Sequence, residues 1–393
     1  VYAFSVPYNA NVKRLRTFID LTDGIQWYSF NNLYPQIAEA IRDRSYTIKA
    51  ACDRLANFIG GEGFEDPKIG EMVVNSKGDT MNDILRKLRV DAATFKGSFV
   101  VHLSANLEGE YNNISVWPLA NWRLGLPTEE GDVYDIKYNS NWEQDPYKEL
   151  SNAKKIVEYR KFNPNKDVII EQIEEDGCVE YDDGSIEYLN QGQVFYVTEL
   201  EDQYPLATFD SVLDQGQTQE EIGLFRLKSI QNGLNAGAIF SYPGKFEDDA
   251  KAAAFKRTLN EHTGAGGANS IMVVEADGSQ PVAAKDLVTP LTVQNMDKIH
   301  EFISRDDKNA IMEAFGMPKG ILGIHPETGM FNQQQLIEEY YYYNTMTRQY
   351  RNDVSRAFKK IFANWHEPVN SDFKIKELQY AATPSPTTQP VNA

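Results

Sequence analysis

The residues with the most chemical promise in this chain are its paired carboxylates, its histidines, one glycine-rich stretch and a run of four tyrosines. Adjacent carboxylates stand at Glu220 and Glu221, Asp248 and Asp249, Asp306 and Asp307, and Glu338 and Glu339. Two such pairs brought together could clamp a pair of metal ions, the arrangement of a nuclease. Neighbouring side chains on a helix point about 100° apart, so each pair reads instead as a solvated face or as charge beside a helix terminus. His102, His262, His300, His325 and His366 are scattered without metal-ligand spacing, and His366-Glu367 runs into Pro368, so it is no zinc helix. Residues 263–270 (TGAGGANS) resemble a phosphate loop, but they lack its Lys-Ser/Thr and lie between a helical and a strand pattern. A glycine-rich turn is the better reading. No Gly-x-Ser-x-Gly elbow occurs, and neither cysteine has an obvious histidine partner. The residues therefore predict no enzyme, no cofactor and no metal site. Tyr340, Tyr341, Tyr342 and Tyr343 wrap a full helical turn, so some of them must face away from the chain's own core. They suit stacking on nucleobases or, the favoured use, amphipathic contact at a subunit interface.

The 393 residues can bury a sizeable core and suggest two or three domain-sized units. A hydrophobic fraction of 41% and a charged fraction of 24% are those of an ordinary globular protein. No apolar run approaches the roughly 18–20 residues that cross a bilayer, and the start at Val1 has no signal-peptide pattern. That start leads us to expect sequence before it. Two cysteines, Cys52 and Cys178, make neither a disulfide framework nor a four-thiolate zinc site, and both are expected to be reduced. The formal net charge of −18 argues against a broad grip on nucleic acid, which needs clustered Lys and Arg. It does not exclude a surface that lets nucleic acid slide past.

The elements that would position these residues follow from periodicity. Residues 32–60 carry a helical pattern with Pro35 near its start and glycines 60, 61 and 63 at its end. Residues 82–95 predict a second amphipathic helix. From 98 the period becomes strand-like, over 98–103, 114–118, 133–138, 156–162, 168–173 and 194–197, with intervening turn residues as in an antiparallel sheet. Glu171, Glu174, Glu175, Asp176, Glu180, Asp182 and Asp183 read as a solvated hairpin edge. Beyond Pro205 the chain turns helical over 213–231. A small β-α-β-β unit follows, with strands at 238–242, 270–275 and 281–287 and a helix at 247–262. Residues 293–315 predict another helix, stopped by Gly316 and Pro318. Residues 317–331 look irregular. Asn332, with Gln335 in the capping-box position, then opens a helix to Trp365 that would be about 50 Å long. A helix of that length must pack against other chains or across several layers. The Pro- and Thr-rich stretch 383–393 predicts disorder.

The order of these elements resembles the portal family of tailed bacteriophages, in particular the group of HK97-like portals. Four stretches carry the likeness: Arg44-Ser-Tyr-Thr47 with Phe58-Ile-Gly-Gly61; Tyr204-Pro205 running into a helix that ends Ser229-Ile-Gln-Asn-Gly233; Phe315-Gly-Met-Pro-Lys-Gly-Ile-Leu-Gly323; and Asn332-Gln-Gln-Gln-Leu-Ile-Glu-Glu339. Together they span about residues 33–365. The resemblance implies an α+β fold with a strand-rich wing over 1–205, stem helices over 206–233 and 291–316, and a small α/β clip over 234–290. A tunnel loop over 317–331 and a long tunnel helix over 332–365 would follow. Residues 366–393 would be a C-terminal strand and tail with little or no helical crown, a departure from many portals.

It further implies a homo-oligomeric ring of about twelve subunits in the virion, at the capsid's portal vertex and assembled in the host cytoplasm. Its expected partners are the major capsid protein, a terminase ATPase, a head–tail adaptor and double-stranded DNA passing through the channel, with no membrane. Packaging and ejection of DNA would run through that channel. Lys319, His325 and Glu327 are then expected nearest the DNA. Asp297, Glu301, Arg305 and Lys308 are left for the channel or for neighbour pairs along the second stem helix. Two alternatives stay open: a metal-dependent nucleic-acid enzyme using the carboxylate pairs, and another ring-forming virion or tail component.

Overall fold

A serine decides how the first helical layer is built. The computed structural model describes residues 18–142 except 22 and 30, then 156–180, 186–188, 190–200, 203–231, 238–243, 248, 250, 251, 253, 271–276, 288–290, 296–323 and 333–380. The helix expected over 32–60 is two helices, α1 (Tyr34–Arg44) and α2 (Tyr46–Gly60). Between them Ser45 is extended (ψ 112°), and its hydroxyl accepts a bond from the Ile48 N–H. A fully buried serine is thereby spent as an N-cap. After a short α3 (Pro67–Glu71), α4 (Met81–Thr94) opens on a capping box in which Thr80 and Asp83 serve each other's backbone N–H. Ile84, Leu85, Leu88 and Ala92 turn its apolar face inward, and it packs on α2.

Asp91 lies in that apolar face, only 8% exposed, and accepts the Leu119 N–H at 2.8 Å. Burial pushes its carboxyl up to about 7; Glu39 on α1 adds to the rise, while the Leu119 N–H and Arg42 oppose it. Within α2, burial likewise pushes the Cys52 thiol up to about 12, so it is an inert packing group, and both cysteines are free.

The helices cover a six-stranded sheet in the order β4-β3-β10-β7-β6-β5. Its strands are β3 (Phe99–Ala105), β4 (Tyr111–Val116), β5 (Trp122–Leu124), β6 (Asp135–Tyr138), β7 (Val157–Lys161) and β10 (Gln193–Val197). The strip β1 (Ile19–Asp20) and β2 (Ile25–Gln26) adjoins β5 through an Ile25–Gly125 bridge. All neighbours are antiparallel except β10 and β7, which run parallel.

That parallel pair corrects the sequence reading. Parallel strands need a crossover, and a helix supplies it. Residues 168–173, expected as a strand, belong to α5 (Lys166–Asp176). Asn165 caps it by accepting the Asp167 N–H at 3.1 Å, and Ile169, Gln172 and Ile173 are buried at helical spacing. The β-branched run concealed a 3.6-residue period. Glu171, Glu174, Glu175 and Asp176 are therefore helical; Glu180 falls in a hairpin of β8 (Cys178–Glu180) with β9 (Ile186–Tyr188), and Asp182 and Asp183 lie outside the described residues.

Gln193 and Tyr196 stand at odd and even positions of β10 and so point to opposite sides. Gln193 donates to Gln172 of α5 at 3.0 Å, and Lys360 of the long helix lies 5.9 Å from the ring centroid of Phe195, which shares that side of β10.

The chain divides into two compact units, one ending at Leu213 and resuming at Ile311, the other Asp214–Ala310. The second holds most of α6 (Leu213–Gln231) and α7 (Met296–Ala314), 19 residues each. Its three strands run in the order β12-β11-β13, with β11 (Ala238–Pro243) parallel to β12 (Ile271–Ala276) and antiparallel to β13 (Val288–Pro290). The expected helix at 247–262 lies largely outside the described residues and the strand at 281–287 entirely so; the strand that pairs is Val288–Pro290.

In the first unit α8 (Gln333–Phe362) is 30 residues, about 45 Å. It spans layers as its length required. Tyr343 meets Phe58 of α2, and past its C-terminus Trp365 bridges to Tyr111 of β4. The fold class is α+β.

Candidate functional site

Where the chain returns from the second unit, its backbone is pinned turn by turn. At the end of α7 the Gly316 N–H bonds the Glu313 carbonyl and the Met317 N–H bonds that of Met312, a Schellman ending with Gly316 at φ 55°. Met312 and Met317, the pair such an ending brings together, are both buried. Pro318 then leads into a 3-10 turn, Lys319–Leu322, closed by Gly323 in the left-handed region. Part of the stretch expected to be irregular is thus ordered. Ile321 is buried and Lys319 exposed.

The start of α8 supplies the other wall. The Tyr343 hydroxyl donates to the Phe315 carbonyl at 3.4 Å, and its ring meets Phe58 edge-on at 4.8 Å. Glu339 lies so close to Gly320 that an added Cβ would stand 2.1 Å from its Oε2. Gln335 donates to the other carboxylate oxygen at 3.1 Å, and Oε2 itself is buried with no partner. Glycine at 320 is what allows this approach.

Two buried arginines fix the surroundings. Arg351 of α8, 4% exposed, donates to the carbonyls of Phe58 and Asn344, to Thr347 Oγ1, and to Glu377 at 3.0 Å. Asn344 Nδ2 donates to the Leu378 carbonyl, so the helix holds both α2 and the C-terminal segment. Arg123 of β5 is fully buried, and desolvation lowers its pKa to about 10. Its donors meet neutral oxygens only: Asn32 Oδ1 at 2.5 Å, the carbonyls of Asn32, Ala120 and Trp122, and Gln36 Oε1.

Beside Arg123 a tyrosine stack grips the lead-in to α6. The Tyr28 and Tyr204 rings lie parallel, 4.0 Å apart. Tyr204 donates to the Gln26 carbonyl and accepts the Leu124 N–H; Tyr28 donates to the Pro205 carbonyl; Tyr34 donates to Asp210 and accepts the Ala207 N–H. Thr208 adds bonds to the carbonyls of Thr94 and Ala93. The root of α6 and the exit from α7 are each clamped.

The expected site residues fall unevenly on this frame. Lys319 is exposed on the ordered turn, and His325 and Glu327 lie outside the described residues. Asp297, Glu301, Arg305 and Lys308 follow helical spacing on α7; Glu301 and Arg305 are exposed, Lys308 is half-buried, and the Arg305 guanidinium lies 5.9 Å from the Phe302 ring centroid. The four tyrosines divide. Tyr341 and Tyr342 are 70% and 52% exposed. Tyr340 is half-buried between Phe58 and Tyr380. Tyr343 is 1% exposed and leaves the interface set, because α2 holds it in the chain's own core. Of the carboxylate pairs, Asp307 is buried, with burial and Asp306 raising its pKa. Among the described residues no three His, Cys, Asp or Glu side chains gather as a metal would need. No described helix is long and apolar enough to cross a membrane.

The clamps were not anticipated from sequence, although Arg351 and Asp91 sit on the apolar stripes of their helices, a detectable signal.

No family model and no curated protein matches the chain. Among solved structures it is similar to a chain in the neck of a native gene transfer agent particle computed with C12 symmetry, at 9% identity and a TM-score of 0.48 over 87% of this chain and 84% of that one. It is also similar to a chain in the neck of the empty particle computed with C6 symmetry (10%, 0.46, covering 85% and 80%). A third likeness is to an HK97-family phage portal protein from Corynebacterium diphtheriae (10%, 0.39, covering 78% and 85%).

Proposed function

We propose that this chain is a portal subunit, one copy of a ring at a capsid vertex through which double-stranded DNA is packaged and ejected. The observation that carries the reading is the excursion between Leu213 and Ile311. The chain leaves one body along a 19-residue helix, builds a small sheet and returns along a second 19-residue helix. A clamped turn and a 30-residue helix follow, in the order that the sequence resemblance implies.

Exposed apolar surface supports a multi-copy state. On α6, Leu224, Phe225 and Leu227 are 41%, 39% and 51% exposed, and on α8 Met346 is 56% exposed beside Tyr341 and Tyr342. Clustered apolar side chains of this kind mark contact surfaces, and head-to-tail contacts that close give a ring. In this reading the helices α6 and α7 form the stem, and the strands between them form the clip that receives a packaging ATPase and a head–tail adaptor. Lys319, His325 and Glu327 line the DNA path, with Asp297, Glu301, Arg305 and Lys308 along the stem. The ring has about twelve copies, sits in the capsid shell and performs no catalysis of its own.

Negative-stain images of the purified chain test this directly. Rings with a central hole are expected. A compact monomer under all assembly conditions would refute the proposal, and a closed oligomer without a hole would favour another virion component.

A further inference from the structure

The C-terminal segment runs antiparallel to α8, and its contacts give the course. Ser355 Oγ donates to the Phe373 carbonyl at 2.7 Å, Arg351 to Glu377 at 3.0 Å and Asn344 Nδ2 to the Leu378 carbonyl at 2.8 Å. The Tyr380 ring then meets Tyr340 edge-on at 5.7 Å. Rising residue numbers of the segment thus meet falling numbers of the helix. Residue 381 leaves at the turn that bears Tyr341 and Tyr342.

That turn opens an uncharged outer surface. At about 100° per residue, Tyr341, Tyr342, Thr345 and Met346 share the side of α8 turned away from the buried Tyr343, Thr347 and Val354. All four are exposed, Tyr341 most of all. Residues 381–393 lie outside the described residues. Their sequence, AATPSPTTQPVNA, carries no charge in a chain whose net charge is −18. Pro384, Pro386 and Pro390 favour the polyproline II conformation, whose rise of about 3.1 Å per residue gives the stretch a reach of about 40 Å. From Tyr341 to Met346 the helix advances only about 8 Å. Aromatic surfaces receive proline-rich segments well, because such segments lose little entropy on binding.

We infer that residues 381–393 dock over Tyr341, Tyr342 and Met346 of the same chain, covering side chains that the ring reading assigns to contact between copies. The tether at Tyr380 holds the tail at an effective concentration in about the millimolar range. A weak contact is then enough to shield this surface on a dilute single copy, and neighbouring copies displace the tail as concentration rises. The consequence for assembly rests on the ring reading; the docking itself does not.

A full-length variant, Pro384→Asp/Pro386→Asp/Pro390→Asp, keeps the tail's length and frees the surface. The probe is a dye-labelled peptide of sequence 381–393, followed by fluorescence anisotropy on dilute, unassembled protein. It is expected to bind this variant about fivefold or more tighter than wild type, whose own tail competes. Adding Tyr341→Ala/Tyr342→Ala to the variant should abolish that binding. Equal binding to wild type and variant, no binding, or binding indifferent to the tyrosines would overturn the docking. In mass photometry the proline variant should form rings at a concentration lower than wild type by about threefold or more. Unchanged assembly would overturn the shielding, and weaker assembly would move the tail to a neighbouring copy and overturn the same-chain contact. Should neither protein form rings, the portal reading fails, while the peptide result still decides the docking.

Discussion

Replacing Asp91 by asparagine isolates one buried charge with little change in shape. The amide oxygen can still accept the Leu119 N–H, now 2.8 Å from Asp91 Oδ2, while the ionisable proton is gone. In the folded chain the carboxyl titrates near 7; unfolded, it would titrate near the ordinary value of about 3.9. Between those values the folded state holds a proton that the unfolded state has released, so this group's contribution to stability falls as pH rises from about 4 to about 7. Each unit is worth about 1.4 kcal/mol, so between pH 5 and pH 8 wild type should lose about 2–3 kcal/mol that Asp91→Asn does not lose. The other titrating groups are common to both proteins and largely cancel in the difference, apart from Glu39, which feels Asp91. Urea unfolding followed by tryptophan fluorescence at the two pH values reads it, since Trp122 lies in the same core. Near pH 5 the two proteins should be separated by little; at pH 8 the variant should be the more stable. Parallel pH profiles would refute the assignment of a protonated carboxyl at this position.

Three further substitutions probe the clamps. Arg351→Ala takes the donor from the Phe58 carbonyl in a dry site and the partner from Glu377, and should cost about 3–5 kcal/mol in thermal or urea unfolding. Gly320→Ala brings a methyl against the carboxylate end of Glu339, which can swing aside, and should cost under about 1 kcal/mol, most of it recovered in the double variant with Glu339→Ala in a double-mutant cycle. Tyr343→Ala should destabilise the monomer by about 3–5 kcal/mol, whereas Tyr341→Ala/Tyr342→Ala should leave its melting temperature within a degree or two and impair ring formation in mass photometry.

Much of the fold was legible because its strongest elements repeat their apolar residues over long windows. α4, α6, α7 and the long α8 follow the 3.6-residue period, and the strands around Phe99, Ile136 and Val194 are short β-branched or aromatic runs bounded by turn residues. Two misreadings have one origin. At Ser45 and Asn165 a single side-chain oxygen takes over a backbone donor, and that local bond outweighed the pattern of the residues around it. The tyrosine run could not be divided from spacing alone, since Phe58, nearly 300 residues away, selects Tyr343 for burial. The clamps around Arg123 and Tyr204 join residues from four separate stretches and have no local signature. The Schellman ending is different: Gly316 and its hydrophobic flanks announced it.

The neutral coordination of Arg123 sets how the molecule should respond to acid. Amide and backbone oxygens do not titrate in the range where carboxylates gain protons, so this cationic knot stays tied as the medium turns sour. The C-terminal segment carries three ion pairs, Glu62 with Lys376, Glu377 with Arg351 and Asp372 with Lys359. Glu62 and Asp372 hold their protons less readily than ordinary carboxylates because a lysine bonds each, so their grip weakens only once pH falls through those depressed values. Acidification would thus loosen these pairs, while the backbone bonds of residues 374 and 376 and the buried Phe373 and Ile375 keep the segment seated.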